Sequence, residues 1–287
     1  MAKVYDALQR AEAERKRRAD PEAIAPPPMK LDWEPGVTTP GSPPKPVRAT
    51  PLARFWSRLR RGAPDESAGD LNKRRISLLQ PDSYVAEQFR GLRGRIDALS
   101  EERPIRTIAV TSAMPGEGKT TAAINLAVVT SLSVGRRVLL IDCDLRRPKV
   151  HQSLGIQPRT GLSEVLNDEV SLDEAIEKAE GLNLEVLGVR GRPANPSELL
   201  SSGRMRELIE EVSQRYDRVI LDTPAALGLP DAKAVADLCD GSVLIVRADT
   251  TTEEDVLTML EILDRRRVLG VVLNGTIADQ GRYGYVS

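Results

Sequence analysis

Residues 111–121 read TSAMPGEGKTT, and these residue types in this order can hold phosphate. Gly116 and Gly118 let the backbone curl so that successive N–H groups converge, with Glu117 between them. Lys119 supplies a mobile cation, Thr120 a hydroxyl suited to Mg²⁺, and Thr121 continues the turn that opens a helix. The first position of such a loop is usually glycine and is Ala113 here. Asp142 and Asp144 close a second apolar run, VLLIDCD, and Asp222 closes a third, VILD. Two carboxylates beside a phosphate site suit metal positioning and proton abstraction from an incoming hydroxyl. An acid at the end of a further strand suits the metal's outer shell, usually through water. Arg146, Arg147 and Lys149 follow the first acidic pair as candidates for phosphate charge or a subunit contact.

The elements that must position these residues are legible as hydrophobic periodicity. An apolar run over 105–110 predicts a buried strand ahead of the loop, and AAINLAVVTSL a helix behind it. Short apolar runs at 138–141 and 219–221 predict buried parallel strands whose C-terminal ends carry the acids, where parallel sheets bind ligands. LNLEVLGVRG and GSVLIVRADTT read as further strands, and VLGVVLNGT as the last, ending at Asn274. Helices are expected at SYVAEQFRGLRGRIDALS and TEEDVLTMLEILDRRR, and as two short ones in TGLSEVLNDEVSLDEAI. NPSELLSSGRMRELIEEVSQRY also reads as helical, with Ser197 as a capping candidate. Strands alternating with helices predict an α/β fold: a P-loop NTPase with a doubly wound, mainly parallel sheet.

Bulk properties exclude other chemistries. A net charge of −1 over 287 residues gives no global field for nucleic acid, and 3% aromatics leave few stacking surfaces. Two distant cysteines and one histidine rule out a disulfide framework and cysteine- or histidine-based metal clusters. No apolar run approaches the roughly 18 residues of a membrane span.

The flanks differ in kind from residues 71–278, which are expected to form the folded domain. Residues 1–19 read as an amphipathic helix, either solvated or partner-binding. Eleven of the twenty prolines fall between 21 and 64, so 20–70 reads as a disordered linker. Within it, 51–61 (PLARFWSRLRR) is a basic amphipathic segment suited to peripheral membrane contact or merely a sticky part of the linker. Residues 279–287 read as an unpacked tail with Tyr283 and Tyr285 among glycines. In the first folded helix Glu87, Arg90 and Arg93 recur every three residues, a stripe that is either solvated or a subunit contact.

Taken together, TSAMPGEGKTT, VLLIDCDLRRP, VILDTP, NPSELLSSGRM and EQFRGLR resemble the bacterial tyrosine kinases of polysaccharide export, of the cytoplasmic kinase type. The resemblance runs from residue 81 to the C-terminus. It implies that Lys119 and Thr120 bind ATP phosphates and Mg²⁺, and that Asp142 lies near the metal and activates a tyrosine hydroxyl. Asp144 is then the second acid of that motif, Asp222 supports the metal, and Asn274 sits where related ATPases contact adenine. Glu87, Arg90 and Arg93 match the family's ring-assembly motif, and Tyr283 and Tyr285 stand where it phosphorylates a tail cluster in trans. The resemblance further implies self-association into a ring and a separate transmembrane activator or polysaccharide co-polymerase. It implies a cytoplasmic location at the inner face of the plasma membrane. Two departures are the sequence DTPAAL after Asp222 and the reduction of the tyrosine cluster to two. The rivals are a MinD/ParA-type ATPase, which carries a second lysine where this chain has Met114, and a non-catalytic ATP-binding scaffold.

Overall fold

The computed structural model describes residues 80, 82–179 and 181–276. The expected N-terminal helix, the proline-rich linker with its basic segment, and Tyr283 and Tyr285 lie outside the described residues.

The sheet has seven strands: β1 Thr107–Ser112, β2 Val138–Asp142, β3 Ile176–Lys178, β4 Leu184–Leu187, β5 Arg218–Asp222, β6 Gly241–Arg247 and β7 Val268–Asn274. Their order is β3-β4-β2-β5-β1-β6-β7, and every pair but β3–β4 is parallel. β1, β2 and β5 are buried at every position, as parallel strands covered on both faces must be. One apolar cluster fills each face: Leu139, Ile141, Leu200 and Met205 belong to one, and Ile108, Ile124, Leu140 and Ile220 to the other.

Helices α1 Tyr84–Glu102 and α2 Lys119–Ser131 cover the second face. In α1, Ile96 is buried, and Phe89, Leu92 and Leu99 pack partly buried behind it, as their three-to-four spacing requires. The hydroxyl of Ser83 accepts from Ala86 N and caps this helix. α3 Val150–Leu154, α4 Leu162–Leu166, α5 Leu172–Ala175, α6 Pro196–Leu200, α7 Gly203–Arg215, α8 Asp231–Ala236 and α9 Glu253–Ile262 complete the elements used below.

The structure departs from the sequence expectations in four places. β1 lies two residues later than the apolar run, because it pairs with β6 as far as Ser112 opposite Ile245. The stretch expected as one helix from Asn195 to Tyr216 is two, and Ser202, whose hydroxyl accepts from Met205 N, caps the second. Ser197 is not a cap: it sits inside α6, and its hydroxyl bonds Asp231 and Arg146. β3, antiparallel and three residues long, and the short α3 and α8 were not anticipated.

Candidate nucleotide site

The loop from Ala113 to Gly118 joins β1 to α2. Gly116 and Gly118 have φ of 89° and 98°, a region that suits glycine and strains other residues. Gly118 is also crowded: a Cβ there would come within 2.1 Å of Asn274 Nδ2. The loop is held from the ends of β6 and β7. Arg247 donates to the Gly116 carbonyl at 2.9 Å, and Asn274 Nδ2 donates to the Glu117 carbonyl at 2.8 Å. In a trans peptide the N–H points opposite the carbonyl, so the amides of Glu117 and Gly118 face away from these anchors.

Glu117 is 1% exposed, and its carboxylate accepts from Met114 N at 2.8 Å and from the Thr251 hydroxyl. Its side chain thus shapes the loop from within. Ala113, where the pattern favours glycine, is fully buried, and its carbonyl accepts from Leu227 N. Sequence reasoning missed Arg247 and Thr251. Nothing in their local pattern marks them, since they lie more than 130 residues from the loop they brace.

β1, β5 and β2 are neighbours, so the ends of β2 and β5 lie directly behind the loop, with Asp142 in register with Asp222. Lys119, the first residue of α2, reaches Asp144 Oδ2 at 3.0 Å, both side chains being nearly buried. The turn after β2 folds its own amides onto the acids. Asp144 N donates to Asp142 Oδ1 at 3.1 Å, Lys149 N and Val150 N to Asp142 Oδ2 at 3.0 Å each, and Arg147 N to Asp144 Oδ1 at 3.0 Å.

The electrostatics follow from crowding like charges in a dry place. Burial, and then the neighbouring Asp222, push the Asp142 carboxyl well above the usual carboxylate range. Burial alone would lower Lys119, but Asp222 and Asp144 outweigh it and hold the ammonium above its ordinary value.

Thr120 is nearly buried in the first turn of α2, and the Thr121 carbonyl is engaged by Asn125 Nδ2. Among the described residues no three histidine, cysteine, aspartate or glutamate side chains converge to hold a metal by themselves. The donor set is instead carboxylate and hydroxyl oxygen beside a phosphate cradle. That set fits Mg²⁺, a hard cation that takes one or two carboxylates and completes its shell with water and phosphate oxygens.

The charged stripe of α1 is divided. Glu87 and Arg90 pair with each other on the outer surface. Arg93 turns inward and donates to Val129 O at 2.7 Å and to Ser133 Oγ at 2.8 Å at the end of α2.

The AAA domain family matches residues 105–265. The tyrosine-protein kinase YwqD of Bacillus subtilis (strain 168) is 39% identical over 213 residues, covering 73% of this chain and 90% of that protein. The succinoglycan biosynthesis transport protein ExoP of Rhizobium meliloti (strain 1021) is 37% identical over 215 residues, and there the match spans 73% of this chain but only 27% of the relative. Among solved structures, the kinase domain of the Escherichia coli tyrosine kinase ETK matches with a TM-score of 0.67 and 33% identity, over 74% of this chain and 84% of that one. The cell division ATPase MinD of Pyrococcus furiosus is more distant, with a TM-score of 0.50 and 25% identity over 58% of this chain and 70% of that one.

Proposed function

The chain belongs to the bacterial tyrosine-kinase family, and from that premise we propose that it transfers the γ-phosphoryl group of ATP to protein tyrosine in the regulation of exopolysaccharide or capsule polymerisation and export. The observation that carries the reading is the Lys119–Asp144 pair at 3.0 Å beside the in-register Asp142 and Asp222, all at the mouth of a prebuilt glycine loop. Together they gather a cation, a base and oxygen donors around one phosphate position.

The backbone amides of residues 116–121 and the Lys119 ammonium bind the phosphates and offset charge growing on the equatorial oxygens. Thr120, Asp142 and Asp222 would hold Mg²⁺ and its water shell, and the cation would supply positive charge against the phosphates. Asp142 accepts the phenolic proton as the tyrosine oxygen bonds to the γ-phosphorus. The bond from that phosphorus to the β–γ bridging oxygen breaks, and ADP leaves. Asn274, whose amide holds the Glu117 carbonyl, borders the nucleoside in this reading.

The acceptors in this reading are Tyr283 and Tyr285 of a neighbouring subunit, within a ring contacted through Glu87 and Arg90. A transmembrane polysaccharide co-polymerase is the activator. The MinD/ParA reading is weaker because Met114 carries no charge to place on a partner's nucleotide. Among the described residues no helix is long and apolar enough to cross a membrane. In this reading recruitment to the membrane goes through that activator or through residues 51–61.

The test is incubation with Mg²⁺ and γ-labelled ATP of the wild type, Lys119→Met, and the double variant Tyr283→Phe/Tyr285→Phe. Phosphotyrosine is expected in the wild type alone. Loss of Lys119 should lower transfer by about 10²–10³-fold, as for removal of one transition-state donor. Label persisting in the tail variant removes the tail as acceptor, and ATP hydrolysis without phosphotyrosine returns the choice to the two rivals.

A further inference from the structure

One cluster beside the site has no part in the mechanism above. Arg146 stands two residues after Asp144, and its guanidinium is bonded to a different carboxylate, that of Asp231. Its Nε donates to Asp231 Oδ2 at 2.8 Å, and a terminal nitrogen donates to Ser197 Oγ at 2.8 Å. Ser197 Oγ in turn donates to Asp231 Oδ1 at 2.5 Å. The three side chains close a ring of hydrogen bonds that joins the turn after β2 to α6 and to the first residue of α8. Asp231 is 1% exposed, so its charge depends on Arg146 for compensation.

We propose that Arg146 is a positioning residue for the metal and phosphate chemistry, clamped by Asp231 and Ser197 so that the turn bearing Asp142 and Asp144 keeps the geometry in which Asp144 meets Lys119. The proposal rests on the nucleotide-site reading above. Within the turn from 142 to 150 the amides of Asp144, Arg147, Lys149 and Val150 bond its own carboxylates, and at its start Cys143 N donates to the Asp222 carbonyl and Lys119 meets Asp144. Beyond Asp144, the turn's side-chain hydrogen bonds to α6 and α8 come from Arg146. Arg146 fastens it to elements outside, through the planar fork that arginine has and lysine lacks. Only Leu145, itself buried, separates the clamped residue from Asp144. Groups that hold metal-site residues in place typically change metal affinity or activity by about 10–100-fold when altered.

The experiment uses the full chain and reads binding of a fluorescent ADP analogue as a function of Mg²⁺ concentration, with and without metal, alongside thermal unfolding. The variants are Arg146→Lys, Ser197→Ala, Asp231→Asn and the double Arg146→Gln/Asp231→Asn, which removes both charges and leaves no buried ion unpaired. Arg146→Lys and the double variant are expected to raise the Mg²⁺ concentration for half-maximal binding by about tenfold. Ser197→Ala should raise it less, and metal-free ADP affinity should stay within about twofold of wild type in all four. A merely structural role would lower the melting temperature and leave the Mg²⁺ dependence of the folded protein where it was. The proposal is overturned if the folded double variant has the wild-type Mg²⁺ dependence, or if metal-free affinity falls in step with it. Absence of phosphotyrosine in the wild type would remove the kinase reading without touching this Mg²⁺ shift. Phosphotyrosine with no shift in the variants would remove the clamp alone.

Discussion

Strand β5 starts and ends on a buried charge, and its two ends are built by opposite rules. At the start, Arg218 is 4% exposed and is answered by its surroundings: Asp97 at 2.9 Å, the Ile105 carbonyl and the Ser100 hydroxyl. Burial lowers its pKa, and Asp97 opposes that shift. At the other end, Asp222 sits in register with Asp142 and near Asp144, and all three carboxylates act on Lys119. The first end is an electrically closed joint. The second concentrates like charge, which raises the proton affinity of Asp142 and Lys119. A fold gains nothing from that crowding, whereas a site awaiting a cation and a phosphate does.

The comparison breaks most visibly if charge is removed from each end in turn. Arg218→Met should cost stability and leave transfer per folded molecule unchanged. Breaking a buried pair ordinarily costs about 3–5 kcal/mol. Here Asp97 keeps Arg136 at 2.6 Å and is partly exposed, so the lower end, about 3 kcal/mol, is expected in urea unfolding. Asp222→Asn should do the reverse: transfer falls, and the cost in unfolding free energy at neutral pH is smaller than for Arg218→Met, because repulsion relieved at Asp142 offsets the attraction lost at Lys119. The relief comes from Asp142. Its folded pKa lies above the unfolded value of 3.8. Its contribution is therefore present at pH below 3.8 and is lost as pH rises through the folded pKa. Taking away the Asp222 charge lowers that folded pKa and reduces the loss. A carboxyl NMR titration that leaves Asp142 unmoved in Asp222→Asn would refute the like-charge account.

What the sequence disclosed follows the same division. The chemistry-bearing tips were legible because a strand buried on both faces reads as an unbroken apolar run, so an acid at its end stands out. Asp142, Asp144 and Asp222 come from 138–141 and 219–221 by that signal read together with the glycine loop. The closed joints were not legible, because their partners come from distant segments. Arg247 and Thr251 brace a loop more than 130 residues away. Ser197 looked like a helix cap, but the helix begins one residue before it, and its hydroxyl is taken by Arg146 and Asp231. Three-residue β3 is too short to show a period and forms because β4 offers an edge. The three-residue spacing of Glu87, Arg90 and Arg93 suggests one face. At about 100° per residue, each three-residue step drifts by about 60°, so Arg93 is carried inward to α2 while Glu87 stays outside.

A smaller effect separates the loop's own geometry from its brace. Gly116 and Gly118 both have positive φ, so alanine at either should cost about 1–2 kcal/mol in backbone strain. Only at Gly118 does the new Cβ meet Asn274, since nothing lies within 4 Å of one at Gly116. Gly118→Ala should therefore destabilise more than Gly116→Ala in urea, and it should also weaken ADP binding more because it displaces the amide that holds the Glu117 carbonyl. Equal losses of affinity would mean that Asn274 contributes nothing to holding the loop.

The smallest stability effect tests whether the outer stripe faces a second copy of the chain. Arg93 donates to Val129 O and Ser133 Oγ at the end of α2, where carbonyls lack helical partners. Arg93→Ala should cost about 1 kcal/mol, the usual worth of such a bond. Arg90 pairs with Glu87 at the surface, and such pairs contribute about 0–1 kcal/mol, so Arg90→Ala should move the urea midpoint no further than Arg93→Ala does. Its effect belongs in light scattering: if Glu87 and Arg90 meet a neighbouring subunit, the assembly's mass falls beyond what the change in monomer stability accounts for. A drop in mass for Arg93→Ala alone, in step with its loss of stability, would make assembly a consequence of α1–α2 packing. An unchanged mass in both variants would leave the stripe as solvated surface, and trans phosphorylation would then need a different contact.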